Sequence, residues 1–160
     1  LPEPFQLTEL VQDIVQKFSL TAAAKEVSLR ADCDGDLPLV VGDISLIERV
    51  IDNLMDNAIQ HSPPGGAVVL SAAAGSRGHV RLEVADGGPG IPAEDRSRIF
   101  ERFFRGDRSR SGGPANAGLG LAIVKSILDL HGIVINVRSE PGSGARFSFE
   151  LPLNEHYDKS

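Results

Sequence analysis

Asn53, Asn57 and His61 recur at intervals of four residues, a spacing that sets them in one polar line along a helix. Such an edge usually carries Lys, Glu or Arg. Amides have lower helix propensity, but they both donate and accept hydrogen bonds. An amide oxygen is also a hard donor suited to a magnesium ion. Taken alone, the two asparagines read more simply as a solvated edge or as partners for nearby loops. Asp86 ends an apolar run and opens Gly87-Gly88-Pro89-Gly90-Ile91-Pro92. Glycines there let backbone approach a ligand closely. A carboxylate fixed at that point can accept from an amino group, such as the exocyclic amine of adenine, in a bond worth roughly 1.5–3 kcal/mol. A strand-end Asp that starts a turn through its own backbone is the common alternative. Gly118 and Gly120 open a further apolar periodic run. Backbone N–H groups at a helix start point outward, unpaired, with the positive end of the helix dipole behind them. This is an anion site whose usual occupant is phosphate, although a hinge for the preceding loop would look the same.

These residues need elements to hold them. Leu46, Ile47, Val50, Ile51, Leu54, Met55, Ala58 and Ile59 follow helical spacing, which predicts a central helix from about Asp43, its N-cap, to His61. Ser62-Pro-Pro-Gly-Gly66 stops it. Leu10, Val11, Ile14, Val15 and Phe18 predict a first helix from about Thr8 to Lys25, with Thr8 as N-cap. Val27 to Cys33 alternates as a half-buried strand, and Leu39 to Val41 is a candidate short strand. Ala67 to Ala74 and His79 to Asp86 predict a hairpin around Gly75-Ser-Arg-Gly78. A short helix is expected from about Ala93 to Phe100. Residues 105–117 lack periodicity and are rich in Gly, Ser and Arg, the composition of a lid loop. A third helix from Gly118 ends at Gly132, with His131 as a capping residue. Ile133 to Arg138 and Ala145 to Leu151 predict a last hairpin around Glu140-Pro-Gly-Ser-Gly144. Helices over one face of antiparallel strands make an α+β two-layer sandwich.

At 160 residues and 17.0 kDa, one domain is expected, spanning 1–153 with a polar tail at 154–160. A net charge of -6 argues against a nucleic-acid-binding surface. The single cysteine, Cys33, forms no internal disulfide and suits a reducing compartment. No apolar run approaches the roughly 20 residues of a membrane span. The chain has no initiating Met and no signal peptide, and Leu1-Pro2-Glu3-Pro4 reads like an excised piece of something longer.

Two common phosphate motifs fail. Gly113 and Gly118 have P-loop spacing, but Leu119 stands where the lysine belongs. Gly88-x-Gly90-x-x-Ala93 formally fits a dinucleotide fingerprint, yet its flanking strands pattern as antiparallel and the acidic Asp107 lies in the loop. The order Asn57, Asp86-x-Gly88-x-Gly90-Ile91, Phe100-x-x-Phe103-Phe104-Arg105 and Gly118-Leu119-Gly120-Leu121 resembles the ATP-binding catalytic domain of sensor histidine kinases. That family lies in the superfamily, GHKL, that includes gyrase, MutL and the heat-shock chaperone ATPases. The resemblance runs from about Phe5 to Pro152.

It implies a Bergerat-type fold: a mixed, mostly antiparallel sheet covered on one face by about three helices. It implies ATP and Mg2+ as ligands, with magnesium on Asn57, adenine read by Asp86, and the base pocket walled by Gly88, Gly90 and Ile91. Asn53 and His61 would adjoin the nucleotide. Gly118, Leu119, Gly120 and Leu121 would hold phosphates beneath a lid at about 101–117. Arg105 would stabilise charge on the transferring phosphoryl group, and Phe100, Phe103 and Phe104 would anchor the lid hinge. Gln60 replaces the family's frequent Lys or Arg, Gly87 replaces an Asn, and Asn116-Ala117 replaces a Gly-Ser/Thr run.

None of His61, His79, His131 or His156 has the acidic and Arg-Thr-Pro neighbourhood of the family's substrate histidine. The expected partners are therefore ATP and ADP, a dimerisation and phosphoacceptor domain outside this chain, and a response regulator. No nucleic acid and no direct membrane contact are expected. The family's parent proteins are commonly anchored in the bacterial inner membrane with this domain in the cytoplasm. Two other readings remain: a GHKL serine kinase of the anti-sigma type, against which the Phe100–Arg105 box argues, and a non-catalytic ATP-binding switch module, which Gln60 favours.

Overall fold

The computed structural model describes residues 1–101, 117–140 and 142–154, with residues 117–119 described through their backbone. Seven strands and three helices follow in order: β1 (Glu3–Phe5), α1 (Leu7–Ala24), β2 (Ser28–Cys33), β3 (Val40–Gly42), α2 (Ile44–His61), β4 (Ala67–Ala74), β5 (His79–Asp86), α3 (Ala117–Leu130), β6 (Asn136–Ser139) and β7 (Ala145–Pro152). Five strands form one sheet in the order β2-β4-β5-β7-β6. Every neighbour is antiparallel except β2, which runs parallel to β4. A second, two-stranded sheet pairs β1 with β3.

Alternation decides which face is covered. Val68, Leu70 and Ala72 on β4, Val80, Leu82 and Val84 on β5, and Phe147, Phe149 and Leu151 on β7 are all buried. They meet Leu7, Val11 and Ile14 of α1, the buried stripe of α2, and Val124, Ile127 and Leu128 of α3 in one core. The intervening residues Arg81 and Arg146 are exposed, so the opposite face is solvated. The architecture is the expected α+β two-layer sandwich.

The hairpin strands and the Asp43 N-cap of α2 match expectation; Asp43 accepts from Leu46 N at 3.1 Å. Three local expectations are corrected. The N-cap of α1 is Gln6, not Thr8: its side-chain oxygen accepts from Thr8 N at 3.4 Å, and the helix ends at Ala24. The predicted helix over 93–100 is one 3-10 turn, Ala93–Asp95, followed by short-range turns. Its backbone bonds mostly reach only three residues, as in Asp95 N to Pro92 O and Arg98 N to Asp95 O. The β2 edge strand, parallel to β4, makes the sheet mixed, as expected. Strand β6 begins at Asn136, because Ile133 and Ile135 pack against the core from a non-strand segment.

His131 does more than cap. Asp43 N donates to its Nε2 at 3.2 Å, while its Nδ1 lies 3.0 Å from Ile127 O. Only a neutral ring protonated at Nδ1 satisfies both contacts. The ring therefore joins the end of α3 to the start of α2, and Gly132 closes the helix with φ +68. Replacing the ring by one of similar size that cannot bond, His131→Phe, is expected to cost about 1–2 kcal/mol in urea unfolding. An unchanged midpoint would show the link to be dispensable.

Candidate functional site

Asn53, the first residue of the polar line on α2, faces the start of α3. Asn53 donates from Nδ2 to Arg49 O at 3.0 Å, which turns its Oδ1 toward Gly120. A Cβ built on Gly120 would lie 3.4 Å from that oxygen. One turn on, Asn57 is half-buried, and its backbone oxygen receives Nδ1 of His61 at 2.8 Å. The His61 ring is exposed. The last turn of α2 is held from outside by Lys25, which donates to Ile59 O at 3.1 Å and Gln60 O at 2.9 Å. A cation at a helix C-terminus is favoured by the dipole. Gln60 turns back toward Asp56, with Nε2 donating at 3.4 Å.

Asp86 ends β5 beside this turn. Its Oδ1 accepts from Gly88 N at 2.8 Å and from Ala145 N at 3.3 Å. Among the described residues no donor is found on Oδ2, which leaves that oxygen for a ligand. Burial pushes the carboxyl above the ordinary carboxylate range, against the pull of the two backbone donors and of a charged His61. Gly88 is buried against the backbone oxygen of His61, where a Cβ would collide. The glycine turn is thereby docked on the last turn of α2, and Asp86, Gly88 and His61 are brought together.

Gly90 has φ +85, and a Cβ on it would stand 2.6 Å from Glu140 O. Ile91 is half-buried and packs on the core. Gly118 and Leu119 lie in the first turn of α3, whose leading N–H groups have no acceptor within the helix. Gly120 and Leu121 follow, half-buried. Phe100 packs edge-on against Phe147, with ring centroids 6.3 Å apart at 89°. This is core packing at the point where the chain leaves for residue 102. Arg105, Phe103, Phe104 and nearly all of the expected lid at 101–117 lie outside the described residues.

The sequence reading missed one wall of the site. The turn between β6 and β7 was expected only to join a hairpin, yet it grips the 86–91 turn. Gly142 N donates to Pro89 O at 3.1 Å, and Ser139 Oγ accepts from Ile91 N at 2.6 Å. Gly144, at φ +80, lies against the Asp86 backbone oxygen. The one signal in the sequence was a second glycine, Gly144, in a turn that already had Gly142. A separate cleft of about 460 Å³ between the start of α1 and the 34–37 turn, lined by Thr8, Gln12, Cys33, Asp34 and Leu37 among others, contains none of these residues.

The donor set fits a hydrated divalent ion brought in by phosphates. Among the described residues no group of three or more His, Cys, Asp or Glu could hold a metal alone. Asn57 offers one hard amide oxygen on α2, and magnesium commonly takes few protein ligands beside phosphate.

Comparison with known proteins gives a consistent picture. The family described as "Histidine kinase-, DNA gyrase B-, and HSP90-like ATPase" matches residues 42–155. The alginate biosynthesis sensor protein KinB of Pseudomonas aeruginosa is 44% identical over 148 residues, covering 92% of this chain and 24% of that protein. The sensor protein DivL of Caulobacter vibrioides is 39% identical over 150 residues, covering 94% of this chain and 19% of that protein. A crystal structure of full-length ShkA in complex with AMPPNP superposes with a TM-score of 0.83 at 33% identity, covering 95% of this chain and 31% of that one. The chain thus spans about a fifth to a quarter of the length of these curated relatives.

Proposed function

Because the chain belongs to the histidine kinase-, DNA gyrase B- and HSP90-like ATPase family, as a sensor-histidine-kinase type of catalytic domain, we propose that it binds ATP and transfers the γ-phosphoryl group to a histidine on a separate dimerisation domain, for relay to a response regulator. The observation that carries this reading is the half-occupied carboxylate of Asp86. Its Oδ1 is held by two backbone N–H groups, so the other oxygen is aimed and ready to accept from the adenine amine.

Each neighbour then has a part. Gly88, Gly90 and Ile91 form the wall on which the base lies. The N–H groups of Gly118, Leu119 and Gly120 at the start of α3 bind phosphate oxygens, with Leu121 packed beneath. Asn57 supplies the amide oxygen for magnesium, with Asn53 and His61 flanking it along α2. Bound there, the ion would neutralise phosphate charge. Arg105 is assigned to the transferring group by the resemblance. We take residues 1–153 as this domain and 154–160 as a tail. No helix among the described residues is long and apolar enough to cross a membrane. A parent protein anchored in the bacterial inner membrane, with this domain in the cytoplasm, belongs to the same proposal.

Calorimetric titration with a non-hydrolysable ATP analogue, with and without magnesium, tests the reading. Wild type should bind more tightly with magnesium. Asn57→Ala should remove that enhancement, about tenfold, and leave magnesium-free binding little changed. An Asn57→Ala protein that keeps the full magnesium effect would place the ion elsewhere. No binding by wild type would overturn the site. Supplying a dimerisation domain in trans should then yield acid-labile phosphohistidine; acid-stable phosphate on a partner would point instead to a serine kinase. A second reading rests on Gln60, which carries no charge where the family often has a cation and bonds back to Asp56. Binding without any transfer to a competent acceptor would favour this reading, an ATP-operated switch.

A further inference from the structure

We propose that Ser139, at the end of β6, is a specificity-determining positioning residue: its buried hydroxyl fixes the turn on which Asp86 discriminates the base. The inference rests on the assignment of adenine to Asp86 and extends it to a residue that touches no ligand. Ser139 is 7% exposed, one of only two buried polar residues among those described. Its hydroxyl is fully used. It accepts from Ile91 N at 2.6 Å and donates to Gly144 O at 3.0 Å. One oxygen atom thus ties the far end of the 86–91 turn to the 140–144 turn. The near end is tied to the same segment by Ala145 N on Asp86 Oδ1. Ser139 also accepts, through its backbone oxygen, from Nη2 of Arg96. Arg96 lies just beyond the glycine turn, on the stretch that runs toward residue 102.

The chemistry explains why placement governs selectivity. An Asp carboxylate attracts the amine on C6 of adenine and repels the carbonyl oxygen that guanine carries there. That contrast depends on the carboxylate and the Gly88–Ile91 wall keeping their separation, because hydrogen bonds weaken steeply with misalignment. Removing the Ser139 hydroxyl orphans Ile91 N–H and Gly144 O together. The wall can then move relative to Asp86, while the phosphate-binding start of α3 has no bond to Ser139 and is unaffected.

The test compares imido analogues of ATP and GTP by calorimetry on wild type, Ser139→Ala and Ser139→Thr, with thermal unfolding of each. Wild type should prefer the adenine analogue. Ser139→Ala should lower that ratio about tenfold, the weight of roughly one well-placed hydrogen bond. Ser139→Thr, which keeps the hydroxyl, should restore most of it. Equal loss for both nucleotides, or an unchanged ratio beside a lowered melting temperature, would reduce Ser139 to a packing residue and overturn the proposal. A wild type without preference would overturn the adenine assignment at Asp86 itself, and this inference with it. Should Ser139→Ala not fold, Arg96→Gln at a partly exposed position carries the test: a fall of about threefold in the ratio is expected from loosening the backbone tie, and no change overturns the proposal.

Discussion

Asp86→Asn is expected to lose about 100-fold in affinity for ATP while unfolding no more easily than wild type at neutral pH. The two halves have separate physical causes. With adenine placed as proposed, binding falls because the amide removes a charged acceptor and, with Oδ1 kept on Gly88 N and Ala145 N, turns an NH2 toward the adenine amine, donor against donor. Stability holds because the same orientation preserves both backbone bonds. The charge itself is a burden on the fold. Burial raises the carboxyl's folded-state pKa despite two N–H donors. A raised carboxyl contributes stability below its unfolded value, about 3.9, and loses that contribution as pH climbs through the folded value. At neutral pH the ionised group is therefore a net cost that the amide avoids. Urea unfolding of both proteins at pH 7.5, beside ATP titration, decides the matter. A less stable Asp86→Asn protein, or one that still binds tightly, would sink the account.

The second large effect falls on a residue that contacts no ligand. Gly144→Ala is expected to destabilise the domain by about 3 kcal/mol or more, which for about 150 residues lowers Tm by roughly 10 °C. Its φ of +80 is a conformation that side-chain-bearing residues rarely adopt, and the added Cβ would meet the Asp86 backbone oxygen. That oxygen is backbone rather than a flexible side-chain end, so relief requires moving β5 away from β7. Since Asp86 Oδ1 is held from the next residue, ATP affinity should fall with stability. A control at Gly142→Ala, also at positive φ but with nothing within 4 Å of a Cβ, should cost only the backbone strain, about 1–2 kcal/mol. Equal losses for the two substitutions would mean that strain alone, rather than collision with Asp86, sets the effect.

What could be read in the sequence was whatever a short window determines. The buried stripe of α2, its Asp43 cap and the 67–74 and 79–86 strands follow from periodicity and local turn chemistry, and they appear with those bounds or within one residue of them. Asp86 and Gly118–Gly120 stand out because they lie at the ends of elements, and Asn57 because it continues a polar line at intervals of four residues. What escaped depends on distant partners. Strand β1 is three residues, Glu3-Pro4-Phe5, with no period to detect; it exists because β3 pairs with it. The parallel pairing of β2 with β4 leaves no mark on the alternation within either strand. Gln6 caps α1 with a side chain seldom used for that purpose. Ser139 lies 48 residues from the Ile91 amide it holds, and nothing near it announces the bond.

The sheet order also governs when during synthesis this sheet can first close. Strand β7 leaves the ribosome after the six other described strands, yet it lies between β5 and β6. Until it arrives, β6 has no neighbour, and β5 lacks one of its two. A nascent chain would thus carry a finished α2, with its asparagines, well before Ala145 could reach Asp86. Closure of the sheet pairs residues far apart in the chain, from Ala85 with Arg146 to His79 with Pro152, the kind of long-range pairing that slows folding. The domain is accordingly expected to acquire nucleotide late and all at once, on insertion of its final strand.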